Sequence, residues 1–244
     1  MADKMVADKT DLDLSVGVFE NDTLIGFILH GKDTINEETI IYNGGTGVIP
    51  KKRGHGLTKK MYRFILPILK ENKIDSLILE VISNNQQAIK SYMHSGYKKN
   101  RTFACYKGSL LPLDVNKSIK IKTLNQYDWD VMESFWDMTP TWQASKKVLN
   151  QLIESHVSYG AYKENKLVGY CIYNSNNNRI QHLAVDKNFR KTKIASTLLT
   201  EISKTYGNSI SIINIDKSSK PTNQFFKSLG LEDYLEQLEM KLAL

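Results

Sequence analysis

The chain has 244 residues, of which 41% are hydrophobic and 24% charged, a mix that suits one large or two ordinary soluble domains with a real core. No run approaches the roughly 18 apolar residues needed to span a bilayer, and the opening MADKMVADKTDLD has no apolar leader, so no membrane partner and no export are expected. The net charge of +7 is spread evenly, with 16 basic and 12 acidic residues up to position 112 and 17 and 14 beyond it, so no nucleic-acid partner is expected. Cys105 and Cys171 each lie in an apolar run and read as free buried thiols of a cytoplasmic protein.

In chain order, VGVFENDTLIGFILHG (16–31) predicts a β-hairpin turning at Glu20-Asn21-Asp22. A strand over 39–50 follows, then a helix from about Leu57 with Leu57, Met61, Ile65 and Ile68 on one face and Pro67 late in it. SLILEVI (76–82) predicts a strand covered on both sides, 85–94 a short helix, and 97–107 a terminal strand pair. The pattern then repeats. YGAYKENKLVGYCIYN (159–174) matches the first hairpin, with Gly26 and Gly169 143 residues apart; Val185 and Arg190 answer Val48 and Arg53 at 137, and Gly230 answers Gly96 at 134. A slowly shrinking offset with the order kept is the signature of a tandem duplication with small loop deletions. The joint is expected near 109–118, giving domains 1–112 and 113–244. The second half predicts strands at 118–124, 180–185 and 209–215, helices at 129–137, 142–154, 192–205 and 220–229, and final strands to Leu244.

The stretch VIPKKRGHGLTKK (48–60) carries Arg53-Gly54-His55-Gly56-Leu57-Thr58 from a strand end into a helix start. Helix N-termini expose unpaired N–H groups and partial positive charge, and glycines let a backbone approach an anion closely, so a pyrophosphate could rest on the amides of 54–58. Neither G-x-G-x-x-G nor G-x-x-x-x-G-K-[ST] is present, which argues against the common nucleotide loops. The run V-x-P-x-x-R-G-x-G instead resembles the acyl-CoA signature of the GNAT acetyltransferase superfamily, met by Val48, Pro50, Arg53, Gly54 and Gly56, with Thr58 where Gly or Ala is usual. A second family pattern, N-x-x-A-x-x-x-Y-x-x-x-G-F, is met by Asn85, Ala88, Tyr92, Gly96 and Tyr97.

The resemblance implies an α+β fold of two tandem GNAT domains, each a mixed, mostly antiparallel sheet flanked by helices. It implies acetyl-CoA as cofactor, held by Gly47, Val48, Ile49, Arg53, Gly54, His55, Gly56, Leu57, Thr58, Asn85 and Tyr92. Tyr92 takes the place of the family's general acid, and an amine, small-molecule or peptide, would attack the thioester directly. Glu80 is a further catalytic candidate, because a carboxylate amid Leu77, Ile78, Leu79 and Val81 is costly to bury unpaired. No metal is expected. The alternative is a non-catalytic acyl-CoA sensor or interaction module.

The second half departs from the pattern. Lys193 stands at the first required glycine, Phe226 at the position of Tyr92 and Ser219 at that of Asn85, so this half is expected neither to bind CoA well nor to catalyse. The first half lacks the family's opening strand and helix, with 4–9 as a remnant of the second helix; an uncovered hairpin edge there would favour a homodimer.

Overall fold

The computed structural model describes residues 2–244. In order the elements are α1 (Ala2–Asp8), β1 (Thr10–Glu20), β2 (Thr23–Ile35), β3 (Glu38–Val48), α2 (Leu57–Glu71), β4 (Ser76–Ile82), α3 (Gln86–His94), β5 (Lys98–Ser109) and β6 (Lys120–Thr123). Then come α4 (Trp129–Glu133), α5 (Lys146–Gln151), β7 (Val157–Lys163), β8 (Lys166–Asn174), β9 (Arg179–Val185), α6 (Ile194–Tyr206), β10 (Ser209–Asp216), α7 (Lys220–Ser228) and β11 (Glu232–Ala243). The chain forms two compact units, Met1–Thr102 with Glu236–Leu244, and Phe103–Leu235.

In the first unit β1 and β2 form the predicted hairpin, and Asn21 and Asp22 sit at φ of 47° and 63°, as a two-residue turn between twisted strands requires. Asn36 and Glu37 repeat the device between β2 and β3. β3 then crosses through α2 to the parallel strand β4. Helix α2 buries Met61, Tyr62, Ile65 and Leu69 against Leu77, Leu79 and Val81 of β4, each worth about 1.5–3 kcal/mol of transfer free energy. The buried stripe is thus turned from the predicted one, with Leu57 and Ile68 at its half-buried margins. β4 is covered unevenly: Ile78 and Glu80 are half-buried and Ile82 is exposed, because that face lacks a packed helix pair.

The expected terminal strand pairs are instead single long strands, since no Gly or Pro interrupts 98–107 or 232–243. β11 runs antiparallel to β4 from Gln237↔Ile82 to Ala243↔Ser76, so the last strand of the chain completes the first unit's sheet. Its buried Glu239 takes a two-pronged contact from Arg101, at 2.9 and 2.6 Å, and a third from Asn100 at 2.6 Å. Residues 103–109 of β5 run antiparallel to β10 inside the second unit. A boundary at 112/113 therefore does not coincide with the division of the structure.

His30, on β2, is fully buried; its Nδ1 bonds to the Leu14 carbonyl at 2.7 Å and its Nε2 has no partner. Burial pushes its pKa down to about 4, against a weaker upward pull from the Leu14 carbonyl. The unfolded chain therefore binds a proton that the folded one refuses between pH 6.5 and 4. The stability contributed by neutral His30 is whole above pH 6.5 and is lost as pH falls towards 4. Thermal melts from pH 7 to 4.5 should fall steeply in the wild type, and the slope should flatten in His30→Leu; an unchanged slope would remove His30 as its source.

The second unit repeats the hairpin in β7 and β8, and the crossover in β9, α6 and β10, with Ile194, Leu198, Leu199 and Ile202 of α6 buried in its core. The two long helices expected between 129 and 154 are cut to α4 and α5 with single 3-10 turns beside them. Cys105 and Cys171 are buried and form no disulfide, and burial pushes the Cys171 thiol pKa upwards. Among the described residues no helix is long and apolar enough to cross a membrane, and no cluster of three or more acidic, His or Cys side chains could hold a metal ion.

Candidate active site

The predicted turn has the backbone an anion cradle needs. Gly54 and Gly56 lie at φ of 77° and 70°, the left-handed region in which a side chain is strained, and a Cβ at either would meet nothing within 4 Å. Gly56 caps α2 without a side-chain hydrogen bond, so the first-turn N–H groups of Leu57, Thr58 and Lys59 face outward uncapped. The side chains of the turn are used locally: Arg53 Nε donates to the Val48 carbonyl at 3.0 Å, and His55 Nδ1 contacts the Arg53 carbonyl at 2.8 Å. What the turn offers a ligand is backbone.

The strand leading into it splays. Parallel pairing of β3 with β4 ends at Asn43↔Leu79, while β3 continues to Val48, so from Gly44 to Val48 the strand has no β4 partner, its Gly44 and Val48 carbonyls accepting instead from Lys4 and Arg53. A bulge at Gly44, between the pairs His30↔Asn43 and Leu29↔Gly45, starts the divergence. The glycines also make room: a Cβ on Gly47 would lie 2.5 Å from the Phe27 ring, and one on Gly44 2.6 Å from the Asp8 carboxylate. Ile49 N–H is used by the Ile25 carbonyl at 3.0 Å.

Tyr92, on α3, reaches this splay. Its hydroxyl bonds with the side chains of Thr46 and Asn43, and its ring packs edge-on against Tyr62 and Tyr97, 6.3 and 5.8 Å between centroids. Asn43 also donates to Tyr62 at 2.7 Å, and Tyr97 to Tyr62 at 3.2 Å. Burial raises the Tyr92 pKa above its ordinary value, outweighing the two hydrogen bonds that lower it. The phenol is therefore protonated across the physiological range. Asn85 works as the cap of α3, its Oδ1 accepting the Ala88 N–H at 3.1 Å, and so anchors the helix that presents Tyr92.

Glu80 lies on the opposite face of β4 from the α2 core. The Tyr42 hydroxyl donates to it at 3.2 Å, and Glu239 is its cross-strand neighbour. Tyr42 is buried, and its pKa is pushed far up first by that burial, then by the carboxylates of Glu80, Asp8 and Glu239. Sequence reasoning missed Tyr42, Asp8 and Glu239. Tyr42 had a signal, a polar-tipped residue inside a strand just before three glycines; Glu239 had none, being 159 positions from Glu80.

The second unit keeps the turn's backbone without its glycines. Lys191 and Lys193 occupy φ of 61° and 64°, in the places of Gly54 and Gly56. Lys193 Nζ pairs with Asp114 at 2.8 Å, and Asn116 Nδ2 donates to the Thr192 carbonyl at 2.8 Å, so the linker is seated on the start of α6. Left-handed lysines cost roughly 1–2 kcal/mol each, partly offset by glycine's greater freedom when unfolded. Replacing both by Gly should raise stability by about 1 kcal/mol, read as a higher urea midpoint at constant m; a lower midpoint would mean that the lysine contacts outweigh the strain.

A family model described as the acetyltransferase (GNAT) family matches residues 3–97, and one described as an acetyltransferase (GNAT) domain matches 130–241. Among solved structures, a GCN5-related N-acetyltransferase from Sphaerobacter thermophilus is similar with TM-score 0.71 and 13% identity, over 94% of this chain and 80% of that one. A putative acetyltransferase from Pyrococcus horikoshii reaches 0.69 at 16% identity, over 98% and 76%. A tandem GNAT protein from the clavulanic acid biosynthesis pathway reaches 0.73 at 11% identity, over 100% and 88%. At these identities the likeness is one of fold. A search of curated proteins found no match.

Proposed function

The chain is a two-domain member of the GNAT acetyltransferase family, and from that premise we propose that its first unit moves an acetyl group from acetyl-CoA to a primary amine, while its second unit has lost that capacity. One observation carries the choice of unit: only the first turn combines left-handed glycines, open space around them and an uncapped helix start. The residues fit the cofactor. Amides of Gly54–Thr58 would hold its pyrophosphate, the Arg53 N–H being spent on the Pro50 carbonyl, and the stretch at Gly47–Val48 that has no β4 partner would offer backbone groups to its amides. Bound acetyl-CoA would supply an activated thioester.

The chain's own groups supply the rest. Tyr92, kept protonated by burial and held by Thr46 and Asn43, can give a proton at the splay. Glu80, which accepts from Tyr42 and whose cross-strand neighbour Glu239 is already paired with Arg101, would take up the proton of an amine brought to the other face of the sheet. Arg53 and Asn85 hold the turn and the helix in shape. Acetyl-CoA turnover against a broad amine panel tests the reading. Transfer to at least one amine, lost in Gly54→Val/Gly56→Val, supports it; tight CoA binding with no transfer to any amine would replace it with an acyl-CoA sensor.

A further inference from the structure

The short helix α1 is pinned to the strands that form the candidate site. Asp8, at its end, is 3% exposed and fills the space that Gly31 and Gly44 leave. A Cβ on Gly31 would lie 1.8 Å from the Asp8 carbonyl oxygen, and one on Gly44 2.6 Å from the Asp8 carboxylate. Lys9 follows with an ion pair to Asp33 in which both side chains are buried, and its carbonyl accepts the Lys32 N–H at 3.3 Å. A helix this short has little stability of its own, so these contacts decide where it lies.

One turn before Asp8, on the same face of α1, Lys4 is delivered to the bulge of β3. Its Nζ pairs with the Asp8 carboxylate and donates to the Gly44 carbonyl at 3.1 Å, while its side chain stays 62% exposed. The ion pair alone would hold a lysine weakly; the carbonyl gives it a second anchor. The Tyr92 hydroxyl meets the strand at the same place, bonding to the side chains of Asn43 and Thr46. Residues 43–46 therefore gather a phenol that can give a proton, a primary amine, and a carboxylate that can take the amine's proton. A cofactor held by its pyrophosphate at 54–58, with its tail running back along Val48 and Gly47, would bring its reacting end to this bulge. Lys51, Lys52, Lys59 and Lys60 lie at the turn, the other end of that path.

We infer that Lys4 is itself an acetyl acceptor of the first unit, modified within its own chain. The inference rests on the acetyl-CoA reading of that unit. Asp8 takes a proton from the Lys4 ammonium, and Nζ forms a bond to the acetyl carbon. The carbon–sulfur bond breaks, its electron pair leaves with sulfur, and Tyr92 protonates the sulfur. Nζ sheds a second proton, which restores Tyr92 by way of solvent, and Asp8 passes the first to solvent. The products are N-acetylated Lys4 and the CoA thiol, and the charge that held Lys4 to Asp8 is gone.

The test uses the full chain with acetyl-CoA and peptide mass spectrometry. Lys4 should gain one acetyl group roughly 100-fold faster than the exposed Lys120, where only the uncatalysed reaction is open. Its rate constant should not depend on protein concentration. Gly54→Val/Gly56→Val should bring Lys4 down to the Lys120 rate, and Asp8→Asn should remove most of the excess, with the melting temperature as a check on folding. A second readout needs no turnover: saturating CoA should slow the modification of Lys4, but not of Lys120, by N-hydroxysuccinimidyl acetate. Labelling of Lys4 at the Lys120 rate beside transfer to an external amine would overturn the inference and leave the unit's proposed activity standing. Transfer to neither would overturn both. A rate constant that climbs with protein concentration, or Lys4 reactivity unmoved by CoA, would also overturn the inference.

Discussion

Tyr92→Phe should lower the turnover number for acetyl transfer by roughly 100- to 10,000-fold while leaving CoA affinity essentially unchanged. The ring stays, so the edge-on packing with Tyr62 and Tyr97 is kept, and only the hydroxyl between Thr46 and Asn43 is lost. A structural role would give the opposite split, with a lower melting temperature and weaker CoA binding at an unaltered chemical step. The pH profile separates the two as well. An acid whose pKa is raised by burial should support activity well into alkaline pH, and the Phe variant should lose that limb. Turnover within twofold of wild type at saturating acetyl-CoA would exclude Tyr92 as the acid, leaving the proton to solvent.

Deleting Glu236–Leu244 should unfold the first unit although the deletion starts 134 residues after its nearest other member, Thr102. β11 forms seven residue pairs with β4 and buries Leu238 and Met240 in the first unit's core. Those two side chains alone are worth about 3–6 kcal/mol by transfer free energy, which approaches the whole stability of a typical domain at about 5–15 kcal/mol. The deletion also strips Arg101 and Asn100 of Glu239 and exposes the edge of β4. All three tryptophans, Trp129, Trp136 and Trp142, lie in the second unit, so their emission should persist while amide-exchange protection over β1–β4 and CoA binding disappear. Retained protection over 10–82 would mean that the first unit closes its sheet without the last strand.

The two expectations drew on the sequence to different degrees. Tyr92 was legible because its motif is local: Asn85 caps a helix, and Tyr92 follows on that helix at fixed spacing. The strand exchange was not legible, because antiparallel pairing depends on which edge is free in space and no local code names the partner of β11. The predicted joint at 109–118 rested on Pro112 and polar residues, which mark where a chain turns but not to which sheet the strands on either side belong. Glu80 was singled out as a costly carboxylate in an apolar run, and it does have a partner, yet that partner, Tyr42, comes from a neighbouring strand.

By itself the sequence determined the duplication, the two hairpins, the β-turn-helix cradle with its glycines and the difference between its two copies. All of these follow from side-chain period and turn chemistry over a few residues. Only the tertiary structure decided that Lys191 and Lys193 hold the left-handed backbone of the glycines they replace, because the surrounding strand and helix over-determine the turn. It also decided that the last strand closes the first unit, that Glu80, Asp8 and Glu239 gather about Tyr42, and that the Asn214 side-chain carbonyl is buried without a partner. Each of these depends on distant segments competing for one place, and that contest is settled by packing rather than by local preference.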